Sequence, residues 1–416
     1  MALPEGFSYL TTQLYQSGST PNPVIAELPF TNVSFTSQLN SIGTFTGDLL
    51  LSGLNPNIYN ALNGTIPGKT ALYVANTLNG NTTIVWSGVI WHRDYDSETQ
   101  ILSISAQEML SYFQHRRIYK FSSLSAYNAT KQALIYTSKE PVALAIDLIN
   151  GCQAVTNGNI GVGIGTQIYS SAAVTRSYYD FELKSVYQAI YDLSEGFSLF
   201  DFNITAQFTP VGFNYYIQNN INLASPTLGT PYFSSGTFNP NAPVFQFPGN
   251  IVSYKYPEDA TIMANRLFGL GYGANYNKVT APVKDTHFLG SGWALLDDTV
   301  SLTDVVDSTT LNTLTSGRLA ALSYPPSTVQ VVLPTYGDPQ FGMYFVGDEC
   351  RLDITDEFFP NGNLTYYQNA VSRGGTPPSV PYYKITAIDV QPGENNTPDR
   401  VTVTMTLPLS TTVVNA

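Results

Sequence analysis

Strand-forming segments crowd both ends of the chain and set the first limit on its fold. Residues 24–107 carry VIAELPFTNVSFTSQL, TFTGDLLLSGL, TALYVANTL, TTIVWSGVIWHRD and TQILSISAQ. Each is rich in β-branched and aromatic residues, and turn clusters such as LNGN (78–81) and DSET (96–99) separate them. From residue 328 the pattern returns as TVQVVLPT, DECRLDIT, PYYKITAIDV and DRVTVTMTL. Short strands at this spacing suit a small barrel or sandwich at each end.

The two ends also resemble each other. In both, a glycine precedes a strand, as in PGKTALYV and VGDECRLDI. Val89 precedes Leu102 by thirteen positions, Ile388 precedes Val401 by thirteen, and Ile104 and Val403 continue the alternation. These six residues are the candidate core positions of two similar β-barrels. The expected fold is therefore mainly β with α+β insertions, with a barrel at each end.

Between the ends the period changes. EPVALAIDLING (140–151) sets Val142, Ile146 and Ile149 on one helical face, with Pro141 early and Gly151 just past the end. FELKSVYQAIYDLSEG (181–196) repeats this with Leu183, Val186, Ile190 and Leu193. The strands FSLFDFNITAQF and FNYYIQ follow, and residues 219–250 read as a loop rich in Asn, Pro, Gly and Ser. NIVSYKY and TIMANRLFGLGYG read as strands. A helix is predicted over 308–323, capped by Ser308, buried through Leu311, Leu314, Leu319 and Leu322, and stopped by Pro325-Pro326. The expected organisation is an N-terminal barrel over 1–120 and an α+β insertion over 121–250. A connecting block over 251–325 either helps complete the first barrel or forms a small third domain, and a C-terminal barrel covers 326–416.

Bulk properties exclude several functions. The chain has 416 residues, long enough for two to four domains, and a net charge of −12. Gripping nucleic acid needs clustered Lys and Arg. The densest basic run, His115-Arg116-Arg117 with Lys120 after it, suits a helix end better. Cys152 and Cys350 lie about 200 residues apart, which is neither a disulfide framework nor a zinc spacing, and buried free thiols are expected. No leader pattern and no apolar run of about 18 residues is visible. Asn-X-Ser/Thr triplets such as Asn81-Thr82-Thr83 are expected by chance in a chain so rich in Asn and Thr.

The segment SGVIWHRDYD (87–96) has the residues of a catalytic or metal site, with one histidine and two aspartates. It reads instead as a long strand entering a hairpin. Val85, Ser87, Val89, Trp91 and Arg93 alternate with Ile84, Trp86, Gly88, Ile90 and His92, and Asp94 and Asp96 favour turns. His92, His115 and His287 share no metal-ligand spacing. No serine sits in a Gly-X-Ser-X-Gly elbow. Gly161, Gly163 and Gly165, and Gly269, Gly271 and Gly273, miss the phosphate-binding pattern and suit bends or close packing. The acidic pairs Asp297-Asp298 and Asp356-Glu357 leave a glycoside hydrolase open. The 28 Tyr and 22 Phe leave a carbohydrate-binding, host-recognition protein open. No catalytic, metal or cofactor-binding residue is assigned, and no cofactor is expected.

The order of these pieces resembles a family. GDLLLSGLNPNIYNALNG through TTIVWSGVIWHRDYDSETQILSISAQEMLSYFQHRRI looks like the first domain of phage baseplate hub proteins, the tail-associated (Tal-like) minor tail proteins of long-tailed phages. PVALAIDLI, SVYQAIYDLSEGFSLFDFNIT, NIVSYKYPEDATIMANRLFGLGYG, TLNTLTSGRLAALSYPP and VGDECRLDI…YYKITAIDV…VTVTMTL follow in the family's order. The resemblance spans nearly the whole chain and rests on pattern, not on a catalytic signature. It implies a homotrimer with two tail-tube-like barrels per chain. Six barrels would then form a ring that adapts a sixfold tail tube to a threefold tip. It implies a virion location at the tail tip, after synthesis in the host cytoplasm. It also implies contacts with a distal tail ring protein, the tape-measure protein and a receptor-binding or fibre protein, and an acidic channel through which DNA passes without specific binding. Some relatives carry a C-terminal hydrolase or fibre. The last predicted strand here lies within about ten residues of the end, so no lytic activity is expected.

Overall fold

A computed structural model describes residues 3–15, 23–53, 58–120, 132–167, 169, 173–197, 200–211, 214–224, 242–285, 294–302, 305–322, 328–363, 383–394, 398–406 and 413–415. The chain is mainly β with α+β insertions, as expected from its pattern. The first strands are β1 (Gly6–Gln13), β2 (Ala26–Glu27), β3 (Thr31–Gln38), β4 (Thr44–Leu50), β5 (Thr70–Leu78), β6 (Asn81–Asp96) and β7 (Ile101–Glu108). The middle supplies β8 (Ala133–Lys139), β9 (Val162–Gln167), β10 (Val174–Tyr179), β11 (Asp201–Val211) and β12 (Asn214–Ala224). After these come β13 (Val244–Phe247), β14 (Ser253–Lys255), β15 (Arg266–Leu270), β16 (Thr280–Asp285) and β17 (Asp297–Ser301). The chain closes with β18 (Thr328–Leu333), β19 (Glu349–Ile354), β20 (Tyr383–Gln391), β21 (Arg400–Thr406) and β22 (Val413–Asn415).

Two sets of strands share one order. The first runs β3-β4-β7-β6-β5-β1 and the second β14-β18-β21-β20-β19-β13. Their registers agree residue by residue. Leu49 faces Leu102 and Leu333 faces Val401; Gly47 faces Ile104 and Val331 faces Val403. Each set has a β-bulge at the same place. Ile90 pairs with Ala106 and His92 with Ser105, leaving Trp91 over; Ile385 pairs with Met405 and Ala387 with Thr404, leaving Thr386 over. The repeated glycine has the same task twice. Gly68 (φ +69°) donates to the Ile90 carbonyl at 2.7 Å, and Gly347 (φ +95°) donates to the Ile385 carbonyl at 2.8 Å. Both are left-handed, a conformation costly for any residue with a Cβ. One difference stands out: β1 is antiparallel to β5, whereas β13 is parallel to β19.

The sets do not close separately. Among the described residues, thirteen strands form one open sheet, because β20 passes from β19 to β3 after its bulge. Both sets consequently fill one core, in which Phe35, Phe45, Trp86, Val331, Tyr383 and Met405 are buried together. The connecting block does not extend the first set. Its β14 joins the second set, and β15–β17 form a separate four-stranded sheet with β22.

The other face of the first set explains its weak alternation. Leu10, Ala71, Tyr73 and Val89 pack against the helices Pro141–Gln153 and Val186–Phe197 and the hairpin β11–β12. With β5 and the middle of β6 covered on both faces, apolar residues run continuously there. The first helix is capped by Glu140, whose Oε2 accepts from Ala143 N at 2.7 Å, and it continues through Gly151 to Gln153. Leu183 precedes the second helix at φ +44° instead of lying in it. The helix Ser308–Leu322 is capped by Asp307, which accepts from Thr310 N at 2.6 Å, not by Ser308. Gly165 and Gly269 give room to side chains: an added Cβ would lie 2.3 Å from Asn222 Oδ1 and 2.0 Å from Thr315 Oγ1.

Candidate functional site

The segment 87–96 is strand throughout. Asp94 pairs with Ser103 inside the hairpin, and only Asp96 shapes the turn, accepting from Glu98 N and Thr99 Oγ1, both at 2.9 Å. His92 is exposed, while His115 packs against Trp91 at 4.6 Å between ring centroids. His287 lies outside the described residues. Arg116 donates to the Cys152 carbonyl at 2.9 Å, so a cation of the basic run serves the end of the helix Pro141–Gln153.

One acid of each pair is held by contacts within the fold. Asp297 receives Arg266 in a two-point pair at 2.6 and 2.7 Å, which holds its carboxyl below the usual range. Asp356 accepts from the Tyr254 hydroxyl and from Phe358 N and Phe359 N, and the Tyr254 bond is the main cause of its lowered pKa. Among the described residues, no group of three or more His, Cys, Asp and Glu is placed to hold a metal ion, and both cysteines are free and buried.

The six candidate core residues are all buried. Leu102, Ile104, Ile388, Val401 and Val403 share the core between the sets, whereas Val89 faces the helices. Leu102 and Ile104 correspond in register to Val401 and Val403. Val89 and Ile388 do not correspond. Four residues separate Asp96 from Ile101, but eight separate Gln391 from Arg400, so equal spacing spans unequal hairpins. The counterpart of Val89 is Lys384, and that of Ile388 is Arg93.

A polar junction ties the blocks together, and no sequence motif marked it. Lys384 Nζ lies 2.6 Å from Asp201 Oδ2, with only 11% and 16% of the two side chains exposed. Asn40 Nδ2 donates to Asp201 Oδ1 at 2.6 Å, and Asn40 Oδ1 accepts from Phe202 N at 2.7 Å. Asn40 sits at φ +58° in the β3–β4 turn. Leu39 N donates to the Thr386 carbonyl at 2.9 Å. One turn thus holds both sets and the middle block.

Beside that turn, a cleft is lined by Phe35, Trp86, Asn203, Thr205, Phe341 and Ile388, with Glu108 as its only titratable residue. Glu108 Oε2 accepts from Gly43 N at 2.7 Å, yet desolvation pushes the carboxyl up to about 7. Burial raises Glu349 to about 7 and Asp348 to about 6. Such carboxyls bind protons more tightly in the folded chain than in the unfolded one. Their stabilisation is complete below the unfolded values of 3.8 to 4.5 and is lost as pH rises through about 6 and 7. The denaturation midpoint is expected to fall between pH 4.5 and 7. Glu349→Gln, at the most buried of the three, should flatten that slope by on the order of 3 kcal/mol. An unchanged slope in that variant would reject the assignment.

The fold is similar to those of solved tail proteins. The chain superposes on a tail protein of Neisseria meningitidis with a TM-score of 0.56, at 10% identity and 96% coverage of each chain. It superposes on the 43 kDa tail protein of prophage MuSo2 from Shewanella oneidensis with a TM-score of 0.55, at 9% identity, covering 96% of this chain and 98% of that one. No protein-family model and no curated protein sequence matches the chain. Among the described residues, no helix is long and apolar enough to cross a membrane.

Proposed function

We propose that this chain is a structural, non-enzymatic component of a phage virion: a homotrimeric hub at the tail tip that closes the tail tube. The observation that carries the reading is the register-matched duplication. Three chains with two equivalent sets each supply six similar units, which meet a sixfold tube above and a threefold tip below. Likeness of fold to two tail proteins over nearly their whole length supports it. In this reading the blocks 1–120 and 326–416 build the ring and 121–250 braces it, with 121–250 lending β13 and 251–325 lending β14 to the second unit. A distal tail ring protein, the tape-measure protein and a receptor-binding or fibre protein are its neighbours. The net charge of −12 suits an acidic channel that lets DNA pass without gripping its phosphates. Light scattering of the purified chain tests the ring. A mass three times the 45.4 kDa chain is expected, and a monomer at every concentration would overturn the reading.

A further inference from the structure

We infer that Lys384 and Asp201 condense into an amide bond, by which the folded chain cross-links its own middle block to its second set. Such a bond would stand whether or not three chains form a ring. Four side chains from distant segments meet at this place: Lys384 in β20, Asp201 at the start of β11, Glu349 in β19 and Asn40 in the β3–β4 turn. An ion pair by itself implies no reaction. Here the other groups that an amide condensation uses surround the pair.

The nucleophile and the electrophile are already in contact, with Lys384 Nζ 2.6 Å from Asp201 Oδ2 and both side chains largely buried. Groups held in this way react as if at very high concentration. In water an ammonium and a carboxylate keep their charges and do not condense. Away from water both charges are costly, and an amide carries neither. Asn40 Nδ2 donates to Asp201 Oδ1 at 2.6 Å. Oδ1 is the oxygen that stays in the amide, so this donor sits where negative charge develops during attack on Cγ. The Asn40 amide is held in that orientation, because its Oδ1 accepts from Phe202 N at 2.7 Å. The Asn40 carbonyl accepts from the Tyr187 hydroxyl at 3.1 Å, which fixes the residue from its other side.

Glu349 supplies the proton carrier. It faces Lys384 across β19 and β20. Facing residues have Cβ atoms about 5 Å apart, so its carboxyl lies within side-chain reach of the ammonium. Glu349 is 9% exposed, and its Oε2 has no hydrogen-bond partner among the described residues. Burial pushes its carboxyl up to about 7, where a group both takes and gives protons at neutral pH. The reaction balances without any oxidant or co-reactant. Two of the three ammonium protons pass by way of Glu349 to Oδ2, and the third stays on the nitrogen. The Nζ–Cγ bond forms, the Cγ–Oδ2 bond breaks, and Oδ2 leaves as water. Glu349 ends as it began. The link joins residues 183 positions apart and denies the unfolded chain the freedom to separate them. The first set has Ala71 facing Val89 at the equivalent place, so the link belongs to the second set alone.

The test is the intact mass of the full-length chain, held folded at neutral pH and then denatured. It should weigh one water less than its sequence. Protease digestion should then release the peptides that contain Asp201 and Lys384 as one branched species. Lys384→Arg, which keeps the charge, and Asp201→Ala should each restore the full mass. Glu349→Gln should slow the link at least about a hundredfold, the lower end of what a positioned acid or base supplies. The same change should remove the dependence of the rate on pH near 7, an effect that a merely structural glutamate would not have. A full mass after prolonged incubation overturns the bond, and so does a water lost elsewhere while the two peptides stay separate. Equal rates in the parent chain and in Glu349→Gln overturn the role of Glu349. The parent chain alone decides whether the bond forms, so a variant that fails to fold does not blur the result. Neither result touches the hub reading.

Discussion

Val403→Asp is expected to abolish folding of the second set and, with it, any ring. Val403 is fully buried, faces Val331 on one side and Ile388 on the other, and lies in the core that both sets share. An aspartate there would exchange an apolar contact for a charge inside an apolar core. Such a change costs several kcal/mol, up to the whole stability of a typical domain of about 5–15 kcal/mol. Ile104→Asp, at the equivalent position of the first set, should act in the same way. Because the core is common, either substitution should lower the yield of soluble protein and the denaturant midpoint of the whole chain. Near-normal midpoints and normal particles in these variants would remove both strands from the core.

The mainly-β class and the likeness of the two ends were legible because they rest on local signals. Alternating apolar residues in β4, β7, β18 and β21 and the two glycines before strands survive in the sequence. The correspondence of Leu102 with Val401 and Ile104 with Val403 follows from that alternation. What stayed hidden depends on contacts between distant segments. The longer β20–β21 turn shifted the apparent match of Val89 from Lys384 to Ile388. The passage of β20 from β19 to β3 joins what reads as two closed barrels into one sheet, and a bulge leaves no residue-type signature. The cap at Asp307 lay one residue before the Ser308 that the pattern favours. The junction of Asn40, Asp201 and Lys384 unites residues from three blocks that nothing in composition or spacing brings together.

That junction also accounts for one place where the two sets differ in sequence while agreeing in register. In the first set Ala71 faces Val89, both buried against the helices. At the equivalent place in the second, Glu349 faces Lys384, and Lys384 reaches Asp201 of the middle block. Glu349 Oε2 has no hydrogen-bond partner among the described residues, so the lysine is the main compensation for two carboxylates. Lys384→Val is therefore expected to cost about 3–5 kcal/mol, the usual penalty for stripping one partner from a buried ion pair. Adding Glu349→Ala and Asp201→Asn makes the site resemble its counterpart in the first set and keeps an acceptor for Asn40. This triple variant should recover most of the loss, because replacing a whole buried charge group is often close to neutral. Equilibrium denaturation of the single, double and triple variants reads the coupling directly. If Lys384→Val alone changed stability no more than a surface substitution does, the charges would not be what fastens the middle block to the second set. Asn40 and its backbone bonds to Phe202 would then have to carry that attachment.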